Sequence, residues 1–151
     1  MKKVLKLMLN IYKPRKDLDW MGYKMTKNNP YTFHHIKEKR DGGKAEIKNG
    51  AILTADAHHY LNYLDSYCPE AYDKFQEIFR FINDFNGPIP RNWWDDVYLD
   101  IYELLYEIQV LKKYHFRKKP RAILTPKEIR IREREQRERE RRAKKKIKKR
   151  A

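Results

Sequence analysis

The stretch YTFHHIKEKRDGGKAEIKNGAILTADAHHYLN, residues 31–62, carries the pattern that decides the fold. Tyr31-Thr32-Phe33 alternates in the manner of a short strand that ends at His34 and His35. Asp41-Gly42-Gly43 marks a loop, and Asn49-Gly50 marks a second turn before the apolar run Ala51-Ile52-Leu53. Thr54 or Asp56 then suits the cap of a helix bearing Ala57, His58, Leu61 and Asn62. The order is strand, loop, strand, helix.

The residue types in this stretch suit one kind of chemistry. Phosphodiester hydrolysis needs a base for water and a cation for the charge on the phosphate and the leaving oxygen. A neutral imidazole, with an ordinary pKa of about 6.5, suits the base. Adjacent residues on a strand point to opposite sides, so His34 and His35 have different jobs. His58 on the downstream helix is placed to complete a cation site, with Asn62 one turn further on the same face. His59 points about 100° away around the helix and is the poorer candidate.

The spacing of these elements resembles the HNH endonucleases, which are built on a ββα-metal finger. In that family a His or Asp precedes the catalytic His. A Gly-Gly loop follows, then an Asn, then a helix with a metal-binding His. The matching residues here are His34, His35, Gly42-Gly43, Asn49 and His58, so the likeness spans residues 31–62. The resemblance implies a metal-dependent endonuclease that hydrolyses DNA and leaves 5′-phosphate and 3′-hydroxyl ends. It implies that His35 is the general base and that Asn49 ties the loop and orients it. It implies that His34 and His58, with Asn62 as a further candidate, bind one divalent ion. Mg²⁺ is the first choice, with Mn²⁺, Ni²⁺ or Zn²⁺ as alternatives. The family occurs in phage and mobile elements and in host restriction, and the setting stays open among these. Many members add two Cys pairs that form a zinc knuckle. Here Thr54 stands where one such Cys falls, and Glu38 replaces a proline common after the catalytic His. Neighbouring helices must therefore brace the finger.

Outward from the motif, the pattern is mostly helical. Tyr72, Phe75, Ile78, Phe79, Ile82 and Phe85 recur at helical spacing over residues 69–86, with Pro69 in the first turn and Asn86-Gly87-Pro88 as the stop. Val97, Ile101, Leu104, Leu105, Ile108 and Leu111 form one stripe of a second helix over 93–115, with Asn92 as its cap. The two stripes are expected to pack as a helical hairpin. Upstream, residues 1–30 suggest short strands or loops punctuated by Pro14, Gly22 and Pro30, with Met1–Tyr12 a strand or helix. That segment superficially resembles a signal peptide but is expected to be an ordinary strand or helix, because Lys6 interrupts its apolar run and no small-x-small cleavage site follows.

Charge divides the chain of 151 residues in two. Residues 117–151 hold 18 Lys+Arg against 5 Asp+Glu, a surplus of 13; residues 1–116 hold 18 against 16. The net charge of +15 is therefore almost all in a C-terminal appendage, which favours phosphate polymers through counterion release. Thr125-Pro126-Lys127-Glu128 starts a helix with almost no apolar face, in which Glu residues precede Arg or Lys by four. Lys37, Lys39 and Arg40 in the motif loop are plain solvated charges on this reading. Cys68 is the only cysteine, which excludes an internal disulfide, fits a reducing cytoplasm, and leaves Cys68 as a packing residue. No stretch approaches the ~18 apolar residues of a membrane span.

The fold expected is α+β: a ββα-metal finger embedded in helices, as a nuclease-like domain over residues 1–116, with a basic helical tail over 117–151. DNA is the expected partner, with RNA as an alternative, no membrane, and an open oligomeric state. The rival function is a non-catalytic nucleic-acid-binding protein that retains the fold. A second rival is an assembly protein that uses the charged helix as an arm.

Overall fold

The computed structural model describes residues 2–14, 17–112 and 126–150. It is an α+β arrangement, mostly helical, with one two-stranded antiparallel sheet. Strand β1 is Tyr31–His35 and strand β2 is Gly50–Thr54. Tyr31 pairs with Thr54, His34 with Ala51 and His35 with Gly50. Helix α2, Ala55–Tyr67, follows β2 without a loop. Thr54 is the residue that caps it, accepting from the Ala57 amide at 3.3 Å. The sequence order of strand, loop, strand and helix is thus the observed one.

Helix α1, Lys3–Tyr12, precedes the sheet, where residues 1–30 had suggested mainly short strands or loops. Its buried residues Leu5, Met8 and Tyr12 share one face, which lies on β2 and the turn before it. The approach is close. A Cβ on Gly50 would stand 2.4 Å from the Phe33 ring and 2.6 Å from the Met8 sulfur, so only glycine fits where helix and sheet meet. Between α1 and β1 the chain makes isolated bridges, Leu18 to Lys24 and Thr26 to Asn29. The Trp20 amide donates to the Ile52 carbonyl at 2.9 Å and ties this segment to the sheet.

Helix α3, Pro69–Phe85, starts directly after Cys68, which is buried between α2 and α3 as a packing residue. Helix α4 is Arg91–Tyr106 and runs on as a π-helical segment, Glu107–Leu111. Pro90, not Asn92, stands at the N-cap position, because Pro88 and Pro90 fix an extended approach and the helix begins one residue before Asn92. The two stripes do not pair as a simple hairpin. α3 packs most closely on α2, and it meets α4 where Trp93 stacks on Phe81 and lies tilted against Phe85, both at ring distances of 5.2 Å. The reason is burial: Phe75, Phe79 and Ile82 are needed to cover the sheet and α2. Trp20, Trp94, Tyr60 and Tyr98 fill one continuous core with them.

Helix α5, Pro126–Arg150, forms the basic C-terminal segment, and its described side chains are exposed. Thr125 and the segment before it lie outside the described residues, as does the end of the 93–115 helix expected from sequence. Among the described residues, no helix is long and apolar enough to cross a membrane.

Candidate active site at the hairpin and helix α2

The alternation of β1 decides where the two histidines go. Thr32 and His34 face α2 and α3, while Phe33 and His35 share the other face, with ring centroids 4.9 Å apart. His34 is 4% exposed; its ring lies 5.2 Å from His58 on α2 and 5.7 Å from Phe79 on α3. His35 is partly exposed at the strand end. The structure therefore brings His34 and His58 together and sets His35 apart from them on the opposite face of β1.

Hydrogen bonds fix which ring nitrogens remain free. Gln76 on α3 donates from Nε2 to the Ile36 carbonyl at 2.5 Å and to the Tyr72 hydroxyl at 3.1 Å. Its Oε1 therefore faces His34 Nε2, 2.7 Å away, and must accept from it. That leaves Nδ1 of His34 with its lone pair. The Thr32 hydroxyl donates to the Leu53 carbonyl at 2.9 Å, so the long 3.4 Å contact to His58 Nδ1 has the imidazole as donor. Nε2 of His58 then keeps its lone pair. A pair of imidazoles, each holding its ring N–H in a hydrogen bond and presenting the other nitrogen, suits a divalent transition-metal cation.

Electrostatics keeps all three rings neutral. Burial lowers His34 to about 4, against the opposing pull of its Gln76 bond and with smaller contributions from His58 and His35. Burial lowers His58 too, with His59 and His35 acting in the same direction and Glu38 against them. His35 is lowered by partial burial and by the charges of Lys2 and Lys39.

The loop between the strands is held by Asn49. Its Oδ1 accepts from the Lys37 amide at 2.7 Å, and its Nδ2 donates to the Lys37 and Lys44 carbonyls at 3.0 Å each. The Ile36 amide donates to the Asn49 carbonyl at 2.9 Å. One side chain thus closes the loop directly behind His35. The Gly-Gly pair has a steric reason as well. A Cβ on Gly43 would lie 1.7 Å from the Lys37 carbonyl oxygen.

Gln76 was not marked by the sequence reading, and Tyr72, whose hydroxyl donates to the Glu38 carboxylate, was read only as part of the apolar stripe. Glu38 also pairs with Arg40 Nε at 2.6 Å, and Arg40 reaches Asp65 on α2 at 3.3 Å. The donors run in one direction, from His34 through Gln76 and Tyr72 to Glu38. Only the helical spacing of Gln76, four residues after Tyr72 of the apolar stripe of α3, hinted that both face the same neighbour. Asn62 is exposed one turn beyond His58, and His59 is exposed as expected. Among the described residues no group of three or more His, Cys, Asp or Glu gathers as a metal cage. Compared with known proteins, the chain matches no family model, no curated protein and no solved structure.

Proposed function

We propose that the protein is a metal-dependent endonuclease of the HNH type that hydrolyses DNA phosphodiester bonds. On this reading β1, β2 and α2 are its ββα-metal finger. The observation that carries the reading is the meeting of His34 and His58, 5.2 Å apart, each with one ring nitrogen left for a cation. A divalent ion bound there supplies Lewis-acid stabilisation of the phosphate charge and the leaving oxygen. His35 stands at the strand end, neutral at pH 7, and takes the proton from the attacking water. Asn49 fixes the loop behind His35 and so fixes its direction. Gln76 and Thr32 hold the tautomers of the two ligand histidines. Asn62, on the same helix as His58, is a further ligand candidate.

The second reading, a nucleic-acid-binding protein that does not cut, draws on the two-histidine set, which grips a cation less firmly than three protein ligands. Nicking of supercoiled plasmid separates the two readings. Wild-type protein with Mg²⁺, Mn²⁺, Ni²⁺ or Zn²⁺ is expected to nick, and chelator to stop it. His35→Ala is expected to abolish nicking and leave DNA binding nearly unchanged. Wild-type protein that binds plasmid but never nicks it with any of the four ions would sink the nuclease proposal.

A further inference from the structure

Behind the loop that carries Asn49 lies a cleft of about 340 Å³ that the proposed chemistry does not use. Lys37, Lys44, Lys48 and Arg80 line it, with Glu46 as the one acid among its lining residues. Its cations come from three places in the chain: the loop after β1, the turn before β2, and helix α3. The rest of the body is close to neutral: residues 1–116 hold 18 Lys+Arg against 16 Asp+Glu, and 14 against 15 once these four cations and Glu46 are set aside. Four cations around one concavity are therefore a local concentration of charge, and a concave low-dielectric wall focuses its field.

The base of the cleft is rigid. Both backbone groups of Lys37 are clamped by the Asn49 side chain, so the lysine stem starts from a fixed point. Arg80 is anchored by one N–H, donated to the Lys48 carbonyl at 3.2 Å. Glu46 offsets little: it stands 3.6 Å from Lys48 Nζ, and that lysine side chain is 84% exposed. Asn49 lines the cleft and belongs to the candidate site, so the two are continuous.

We propose that this cleft binds a backbone phosphate of the nucleic acid, one flanking the phosphate held at His34 and His58. The proposal rests on the nuclease reading for its register, but the phosphate recognition itself does not need cutting. Spread cations on an open wall suit the repeating charges of a phosphodiester chain, and such contacts position a strand without reading its sequence. The loop then has two faces with two tasks: His35 on one and backbone grip on the other.

The test uses the full chain carrying His35→Ala, so that cleavage does not disturb binding. Affinity for a short DNA duplex is measured by fluorescence anisotropy over a range of salt. Combined Lys44→Gln, Lys48→Gln and Arg80→Gln should lower the slope of log Kd against log salt by about 0.9, the share of one lost phosphate contact. The matched variant with Lys6→Gln, Lys27→Gln and Lys74→Gln should lose less than half as much. Lys44→Gln with Lys48→Gln alone, which leaves the Arg80 anchor intact, should lose a smaller part of that slope than the triple variant. Equal losses in the cleft and control variants, an unchanged slope, or no duplex binding by the parent would overturn the proposal. In a second arm inorganic phosphate is titrated while the thermal midpoint is followed. Stabilisation of the parent but not the triple variant, with equal duplex slopes, would assign the cleft to free phosphate and overturn the backbone site. Plasmid nicking by wild-type protein reads the nuclease proposal separately. A protein that never nicks but loses slope in the triple variant keeps the phosphate site.

Discussion

Burying His34 against Gln76, Phe79 and His58 removes its ability to take a proton at ordinary pH. The unfolded chain keeps a pKa near 6.5, whereas the folded ring sits at about 4. Below 6.5 the unfolded state gains a proton that the folded state refuses, so stability is full above that pH and is lost as pH falls toward 4. With chelator present, the contribution of this ring at pH 5 is a loss of about 2 kcal/mol relative to pH 7. Urea midpoints at the two pH values should show it, and His34→Gln should remove much of the difference. An equal pH dependence in the variant would assign the effect to another group. Gln76 belongs to the same argument, because it alone fixes which nitrogen His34 presents. Gln76→Ala should weaken metal activation of nicking by about 10–100-fold, the usual effect of losing a hydrogen-bond partner behind a ligand histidine. Adding excess metal should restore the rate, which a plain folding defect would not allow. None of this was legible in the sequence, because Gln76 and His34 are 42 residues apart and a lone Gln on a helix carries no signal.

The hairpin with its helix was legible because its signals are local: alternation at Tyr31–Phe33, turns at Gly42-Gly43 and Asn49-Gly50, and a cap at Thr54. The elements that brace it were not. Asp19, in a segment with no pattern, is fully buried and accepts four hydrogen bonds. Oδ1 takes the Met21 and Tyr23 amides at 2.8 and 2.9 Å; Oδ2 takes the Thr54 amide and hydroxyl at 2.7 and 2.8 Å. Burial pushes its carboxyl up to about 6 in spite of these donors. One carboxylate thus ties the N-terminal segment to the junction of β2 and α2, and the Tyr98 hydroxyl adds α4 by donating to the Asp19 carbonyl at 2.9 Å. Asp19→Asn keeps the shape but turns an NH₂ toward groups that already donate. It should cost about 2–3 kcal/mol, seen as a lower urea midpoint at unchanged m-value. A midpoint equal to wild type would mean that the segment is held by Trp20 and Tyr23 packing alone. Asn83 braces the other end, donating from α3 to the Ile47 and Gly50 carbonyls at 2.6 and 2.7 Å. Long-range polar ties, together with α1 and α3, thus hold the hairpin and its helix in place. The π-helical run at Glu107–Leu111 also left no trace in the apolar stripe, since insertion of one backbone step does not change which residues are apolar.

At the scale of the molecule, the near-neutral body and the basic helix α5 differ in what holds them. The body has a continuous core. α5 has none of its own: Ile131 and Ile147 are 41% and 69% exposed, and its described side chains all face solvent. Along the helix, Glu135 and Arg139 pair one turn apart at 3.9 Å. Such a pair is worth only ~0.2–0.5 kcal/mol, so α5 adds little to the stability of the fold. Its contribution lies in charge, since residues 126–150 hold 14 Lys+Arg against 5 Asp+Glu. Deleting residues 126–151 should therefore leave the thermal midpoint of the body within a few degrees of the full chain. The same deletion should weaken duplex binding and reduce the salt slope by several units, because the lost cations had displaced counterions. The nicking rate at saturating DNA should stay close to that of the full chain, since His34, His35 and His58 all lie in the body. The three readouts separate the possible roles of the helix. A large fall in thermal midpoint would make α5 a structural element. An unchanged salt slope would remove it from the phosphate contacts. A lost nicking rate at saturation would place it in the chemistry rather than in affinity.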